Sequence, residues 1–252
     1  MKVISVVSQK GGAGKTTSAL AIGQGLIKDG RRVLYIDMDY QCSLTDMLGG
    51  QDGSRMTIYD ILTTDRPQLR DGLIATDYGG YIAGSQMMAH LDVTLNDANP
   101  REARMQQPLS KMPGQYDAVI IDTPPALSLA QVMAIYASDV IIIPTQADRQ
   151  HYQQLKSLLF TIGRAKEAGC AFKVYYIVTR YNPRVKINQA FYDAITQLMD
   201  ANGVEQLGIV SESSVIREAQ GTDADLFIDY PRSKPAQEYG SISKKIADRL
   251  EG

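Results

Sequence analysis

Ser8-Gln9-Lys10-Gly11-Gly12-Ala13-Gly14-Lys15-Thr16-Thr17 lies between the apolar run Val3-Ile4-Ser5-Val6-Val7 and the apolar-periodic stretch from Leu20 to Ile27. That order, strand then glycine-rich loop then helix, defines a phosphate-binding loop. Glycines let backbone amides turn inward around an anion with no Cβ in the way, and a helix starting near Lys15 aims its positive end at the same point. The implied ligand is a polyphosphate, with Lys15 reaching its outer phosphates and the Thr16 hydroxyl on the accompanying magnesium ion. Gly11, Gly12, Ala13, Gly14 and Thr17 complete the cradle. The usual pattern has a glycine five places before Gly14, but this chain has Gln9 there, followed by an additional lysine, Lys10.

Working outward, short β-rich runs alternate with longer helical patterns, the signature of a parallel sheet with helices on both faces. The strands read as unbroken apolar blocks, as expected where both faces are covered: Val3 to Val7, Val33 to Ile36, Ala118 to Ile121, Val140 to Ile143, Val174 to Val178 and Leu207 to Val210, with Tyr81 to Ala83 as a further candidate. Helical spacing runs over Ser18 to Asp29, Leu127 to Ala137, His151 to Ala168 and Ile187 to Ala201, and Gly30, Gly169 and Gly203 close three of these stretches. From Gly49 to Pro113 the chain is richer in Gly, Pro, Asp and Thr. It is read as surface elaboration carrying short helical pieces such as Ile58 to Leu62. The fold class is α/β, a P-loop nucleotide-binding architecture with a mostly parallel central sheet. No repeat or linker divides the 252 residues, so a single domain over 1–252 is expected. The first strand begins too early to leave room for an N-terminal helix-turn-helix domain.

Composition narrows the function classes. A formal net charge of -2 with 21% charged residues points to no global affinity for nucleic acid or membrane, so any such surface must be local. Cys42, Cys170, His90 and His151 are too few and too scattered for a zinc site or a disulfide framework, and the cysteines are expected to be reduced thiols. There is no basic-then-apolar leader, and no uncharged apolar run approaches the roughly 18 residues that span a bilayer. The reading is a soluble, cytoplasmic protein.

Acids stand at the carboxyl ends of strands, where open α/β sheets bind ligands. Asp37-Met38-Asp39 closes the second strand, and Asp122-Thr123-Pro124-Pro125 closes the strand from Ala118. Asp122 has the form of a Walker B acid, a hard oxygen ligand for magnesium or for its waters. Asp37 and Asp39 have the same parity, so both side chains can face one side of the sheet edge, one holding a metal-bound water and the other the attacking water. The plainer alternative is an Asx turn after a strand.

Lys10 to Thr17, with Asp37-Met38-Asp39-Tyr40-Gln41 and Asp122-Thr123-Pro124-Pro125, resembles the deviant Walker A ATPases of the ParA/Soj and MinD type, from the first strand to the final helix. The resemblance implies ATP and Mg2+ as cofactors and a slow ATPase whose ATP-bound homodimer binds DNA non-specifically. It also implies discharge by a partner protein, ParB-like or another small adaptor. By the same resemblance Lys10 crosses the dimer interface to the phosphates of the other subunit, Asp39 orients the attacking water, and Asp122 is the Walker B acid. Thr16, Asp37 and Asp122 are thus the candidate metal site, and Lys10, Lys15 and Asp39 the candidate catalytic set. The alternative for Lys10 is a solvated loop lysine that helps its own subunit's phosphates.

Thr179 and Arg180 follow a strand where the family places adenine contacts. Ser211 and Glu212 fall where many relatives have Pro and a polar residue near the base. Tyr40 replaces the family's proline after the switch acid and lacks its fixed φ, which predicts a more mobile switch and slower or more partner-dependent hydrolysis. A nucleotide-gated binding module without hydrolysis is the corresponding alternative.

For DNA, the candidate surface combines Arg180, Arg184, Lys186, Arg217, Arg232, Lys234, Lys244, Lys245 and Arg249, diluted by Asp223, Asp225 and Asp229. Arg184, Lys186, Arg217, Lys244 and Lys245 are the predicted contacts, and a plain solvated face is the alternative. A MinD-like reading, membrane-associated or carrying a protein cargo, would need the last helix to bind lipid by its apolar face. Its apolar residues, Ile242, Ile246 and Leu250, fit a helix packed on the sheet better. The nitrogenase iron-protein type also uses such a loop, but it requires a cysteine ligand after the Walker B strand, where this chain has none.

Overall fold

The computed structural model describes residues 1–77, 79–112, 114–222 and 224–251, without the Glu251 side chain; Pro113 and Asp223, both named above, lie outside them. The strands are β1 (Lys2–Val6), β2 (Val33–Asp37), β3 (Leu73–Thr76), β4 (Gly79–Ile82), β5 (Ala118–Asp122), β6 (Val140–Thr145), β7 (Lys173–Tyr181) and β8 (Glu205–Ser211). The helices are α1 (Lys15–Lys28), α2 (Ser43–Met47), α3 (Ile58–Thr63), α4 (Leu91–Thr94), α5 (Gln106–Ser110), α6 (Leu129–Ala137), α7 (Arg149–Glu167), α8 (Lys186–Ala201), α9 (Ser214–Gly221) and α10 (Lys234–Glu251).

All eight strands join one sheet in the order β3-β4-β2-β5-β1-β6-β7-β8. Every pairing is parallel except β3 with β4. Side chains alternate between the faces, so the apolar blocks split by parity. Ile4, Val6, Val33, Tyr35, Ile120 and Ile142 face α1 and α10, whereas Val3, Leu34, Ile36, Val119 and Ile121 join the cluster beneath α3 to α6. Ile141, Ile143, Tyr176 and Val178 pack under α7 and α8.

Helix α1 lies close against its neighbours because glycine lets it. A Cβ at Gly25 would come within 2.3 Å of the Ser243 hydroxyl on α10. The apolar face of α10 is spent in the same contact, with Ile242 and Ile246 each 1% exposed and Leu250 packed against the same core. No helix among the described residues is long and apolar enough to cross a membrane.

The six apolar strands, the Tyr81 candidate and the four long helices appear where expected. The stretch read as surface elaboration instead supplies core, because its short helices fold over one face of the sheet: Ile58, Ile61 and Leu62 of α3, Leu91 of α4 and Leu109 of α5 are buried there. Strand β3 was not expected, because its residues pair antiparallel at the sheet edge and are only partly buried at Leu73 and Ile74, which leaves no apolar block to read. Strand β7 continues beyond Val178 through Thr179 and Arg180 to Tyr181, with an irregular register and a left-handed Arg180 (φ 51°). Gly30, Gly169 and Gly203 have φ of 80°, 94° and 67°, the left-handed conformation that stops a helix.

Candidate nucleotide site

Strands β2, β5 and β1 deliver their carboxyl ends side by side, with Asp37 opposite Asp122 and Asp122 opposite Val6 in register. The loop after β1 therefore rises beside both acids. Gly14 precedes α1 at φ 86°, a conformation a side chain would strain. No side chain caps α1 and its first turn holds no acid. Ser18 N–H is the first to bond in helical fashion, to Gly14 O at 2.9 Å, so the amides before it remain as anion donors.

Beneath this mouth sits an incomplete charge cluster. Lys15 is 6% exposed, and its pKa is lowered by burial against the opposing pull of Asp122 and Asp39. Asp122 is fully buried. One of its oxygens accepts the Thr123 N–H at 3.0 Å, while Oδ2 has no partner. Burial, then the charge of Asp37, pushes its carboxyl up to about 8, against a hydrogen bond from Thr16 and the charge of Lys15. Burial likewise raises Asp37 to about 6 and raises Asp39. Once ionised, three acids against one ammonium would leave an excess of negative charge in a desolvated pocket, which a divalent cation balances and which, without one, the raised carboxyls relieve by holding protons.

Magnesium fits this set. Among the described residues no cluster of three or more His, Cys, Asp or Glu forms a ready-made cage. Magnesium rarely uses one, taking a hydroxyl, one or two carboxylates, waters and substrate phosphates instead. The Thr16 hydroxyl, which bonds to the Asp122 carboxyl, and the unpartnered Asp122 Oδ2 would supply the hydroxyl and the carboxylate. Asp37 is differently placed: Oδ1 accepts Asp39 N–H at 3.0 Å, and Oδ2 accepts both Thr45 N–H at 2.8 Å and the Thr45 hydroxyl at 2.7 Å. It stands behind the site and is already well bonded, which suits a carboxylate that steadies metal-bound water. Asp39 is 7% exposed; Oδ1 accepts the Gln41 N–H at 3.0 Å, and no hydrogen bond to Oδ2 is found among the described residues. Tyr40 beside it is exposed, and Cys42 is left-handed at φ 55° with burial pushing its thiol up to about 11. Both cysteines are free thiols, as expected.

Lys10 is held on its own chain, Nζ lying 3.7 Å from Asp148, the residue that caps α7 through His151 N–H at 2.9 Å. Its carbonyl accepts from Lys15 Nζ at 3.4 Å, so the two lysines flank one strand of loop backbone.

Several supports were not read from the sequence. Thr45 ties Asp37 to Gly84, whose N–H it accepts at 2.7 Å. Buried Gln131 donates to Ser8 O and Pro124 O, both at 3.3 Å, and so joins the phosphate loop to the segment after Asp122. Gln146 donates to Gly12 O at 2.6 Å. These partners come together only through tertiary closure, and a Thr in a short helix or a Gln at a strand end carries no local signal.

The expected base contacts lie beside the loop but are largely committed. The Thr179 hydroxyl donates to Ala13 O at 2.8 Å and lies 3.3 Å from Thr145 O. Ser211 gives its N–H and hydroxyl to Glu238 at 2.8 and 2.7 Å, whereas Arg180 and Glu212 are exposed. The predicted basic set does not form one patch. Arg184, Lys186 and Arg217 are exposed on segments that follow the carboxyl ends of β7 and β8. Lys244 is also exposed, but its neighbour Lys245 donates to Leu207 O at 2.6 Å and Arg249 pairs with Glu205, both near the opposite end of β8. Lys234 lies 3.7 Å from Glu238, and Arg232 is exposed.

A parallel sheet whose first loop cradles phosphate beside a buried strand-end acid is the architecture of a P-loop nucleoside triphosphatase. The comparisons place it more closely. A family model described as an AAA domain matches residues 1–173. The sporulation initiation inhibitor protein Soj of Bacillus subtilis is 28% identical over 251 residues, 98% of each chain. The chromosome partitioning protein ParA of Caulobacter vibrioides is 33% identical over 171 residues, 66% of this chain and 64% of that protein. The septum site-determining protein MinD of Pyrococcus horikoshii, solved with Mg-ADP, superposes with a TM-score of 0.77 at 27% identity, over 100% of this chain and 97% of that one. The chain belongs to the ParA/MinD-type P-loop ATPases of this AAA-domain family.

Proposed function

We propose that this chain is a slow, magnesium-dependent ATP hydrolase of one domain, completed only in an ATP-bound homodimer, which binds DNA without sequence preference and is discharged by a small ParB-like or other adaptor protein. Its cargo is DNA, a plasmid, chromosome or mobile element, moved over the nucleoid in the cytoplasm. The observation that carries the reading is Lys10. It is a second loop lysine at the edge of the phosphate cradle, held by a surface ion pair to Asp148 with side chains 24% and 40% exposed. Exposed pairs are worth little, about 0–1 kcal/mol, so this one yields readily to a stronger anion. A phosphate group offered by a second copy of the chain is such an anion.

Phosphoryl transfer rests on positioning and on stabilising charge at the transferring group. Magnesium, which Thr16 and Asp122 would hold, would supply charge neutralisation at the phosphates. Lys15, desolvated beneath the loop, meets the same charge from below, the Asp39 carboxylate orients the attacking water, and Lys10 of the second subunit closes the site. Loss of the outer phosphate then removes what both subunits hold in common.

The relatives named for partition of chromosomes favour a DNA cargo. Arg180, Arg184, Lys186 and Arg217 are exposed cations at the carboxyl rim, with Lys244 further along α10, whereas Lys245 is engaged by Leu207 O. A membrane-bound reading needs a free apolar face on the terminal helix, and that of α10 is buried. Binding of random-sequence DNA across a salt series, with Mg-ATP and with Mg-ADP, tests the proposal. Steeply salt-dependent binding in ATP alone supports it, whereas flotation with anionic vesicles and no DNA binding refutes it.

A further inference from the structure

Helix α9 carries exposed Arg217 but is lightly anchored: Ala219 is its one fully buried residue among those described, and Val215 and Ile216 are only partly covered. A cleft beneath it is lined by Leu20, Ala21 and Gln24 of α1, Met47 at the end of α2, and Ile216 and Leu226. It thus sits astride the helix of the phosphate loop and the helix that carries Thr45. Among the described residues, one side-chain hydrogen bond joins α9 to another element: Gln220 Nε2 donates to the Thr17 hydroxyl at 2.7 Å. Thr17 is the last residue of the phosphate motif.

We propose that Gln220 is a positioning residue that reads phosphate occupancy through the Thr17 hydroxyl and fixes α9, and with it Arg217, in the nucleotide-bound protein. A hydroxyl accepts and donates at once. The Thr17 oxygen is already taken by Gln220, and no described acceptor takes its proton, which is left for an anion at the mouth of α1. Donating that proton to an anion leaves the Thr17 oxygen richer in electron density and a better acceptor, so Gln220 is held more strongly, since linked hydrogen bonds polarise one another. Phosphate binding is thereby passed two bonds outward to a helix with few buried anchors.

The argument that Arg217 matters for cargo rests on the DNA reading above, but the coupling itself does not. The test is amide hydrogen exchange of residues 214–222 in the full chain, with and without Mg-ATP, for wild type, Gln220→Ala and Gln220→Glu. In wild type, exchange in this segment slows several-fold with Mg-ATP. In Gln220→Ala that slowing is lost while residues 11–17 remain protected by nucleotide. Gln220→Glu offers only an acceptor, captures the Thr17 proton, loses the slowing and weakens nucleotide binding as well. A wild-type segment indifferent to ATP, or a full response in either variant, overturns the proposal. DNA binding forms a separate arm: the ratio of affinity in ATP to that in ADP falls toward one in Gln220→Ala. An intact exchange response in a wild-type protein that binds no DNA upholds the coupling and refutes the DNA reading instead.

Discussion

The carboxyl rim of the sheet contrasts a centre with a flank. Over β1, β2 and β5 folding leaves chemistry incomplete: α1 has no cap, Asp122 Oδ2 has no partner, and burial raises three carboxyls beside a lysine that it lowers. Over β7 and β8 the polar groups are satisfied within the chain, Thr179 by Ala13 O and Ser211 by Glu238. Buried polar groups are almost always paired. Among the described residues Asp122 Oδ2 is left without a partner, at the place where the proposed magnesium would stand. On the proposed reading the flank holds the cradle in shape and the centre binds.

This contrast is broken most forcefully at Lys15. Lys15→Ala removes the one cation beneath the loop and leaves Asp122 and Asp39 facing each other's charge. Nucleotide affinity measured by calorimetry is expected to fall by at least about 100-fold, in the range of losing a principal phosphate-stabilising group. A smaller effect follows from Thr45→Val, which strips the hydroxyl donor from the buried Asp37 Oδ2 while keeping the backbone N–H, and removes the acceptor of Gly84 N–H. Stability in urea is expected to drop by about 1–3 kcal/mol, the cost of unsatisfying a buried acceptor, with weaker magnesium dependence of ATP binding.

The pH response sharpens the same comparison. Asp122, at about 8, and Asp37, at about 6, hold protons in the folded chain at pH values where the unfolded carboxyls, at 3.8, have lost them. Stability without nucleotide must therefore fall as pH rises toward those values. His151, lowered by burial, works in the opposite direction below 6.5, so the window to read lies between 6.5 and about 8. Melting is expected to shift downward across it and to become flatter in Asp122→Asn, while Mg-ADP, which needs ionised acids, stabilises more at the alkaline end. The smallest effect belongs to the flank. Ser211→Ala is expected to cost about 1 kcal/mol of stability and to change nucleotide affinity less than about twofold, as for a structural hydrogen bond. A large loss of affinity there would erase the distinction.

The legibility of the sequence follows the same division. The loop, both strand-end acids and six of the strands could be read because each lies on consecutive residues whose pattern is imposed by a buried strand or a helix start. Strand β3 could not, since an edge strand with one antiparallel neighbour needs no apolar run. Thr45, Gln131, Asp148 and Gln220 were also invisible. Each acts on a group 8 to more than 200 residues away, as with Gln131 on Ser8 and Gln220 on Thr17, and only the closed fold brings them together. The basic surface was legible as composition but not as geometry, because Lys245 and Arg249 turn out to serve β8.

The central claim is that Lys10, resting on Asp148 in the single chain, completes the site of a second copy. Light scattering of the Asp39→Ala protein with Mg-ATP, in which hydrolysis is blocked, measures it directly. The account predicts twice the chain mass with ATP and a single-chain mass with ADP, and a single-chain mass in both nucleotides once Lys10→Ala is added, with ATP still bound. A full ATP-dependent dimer in the double variant would contradict it.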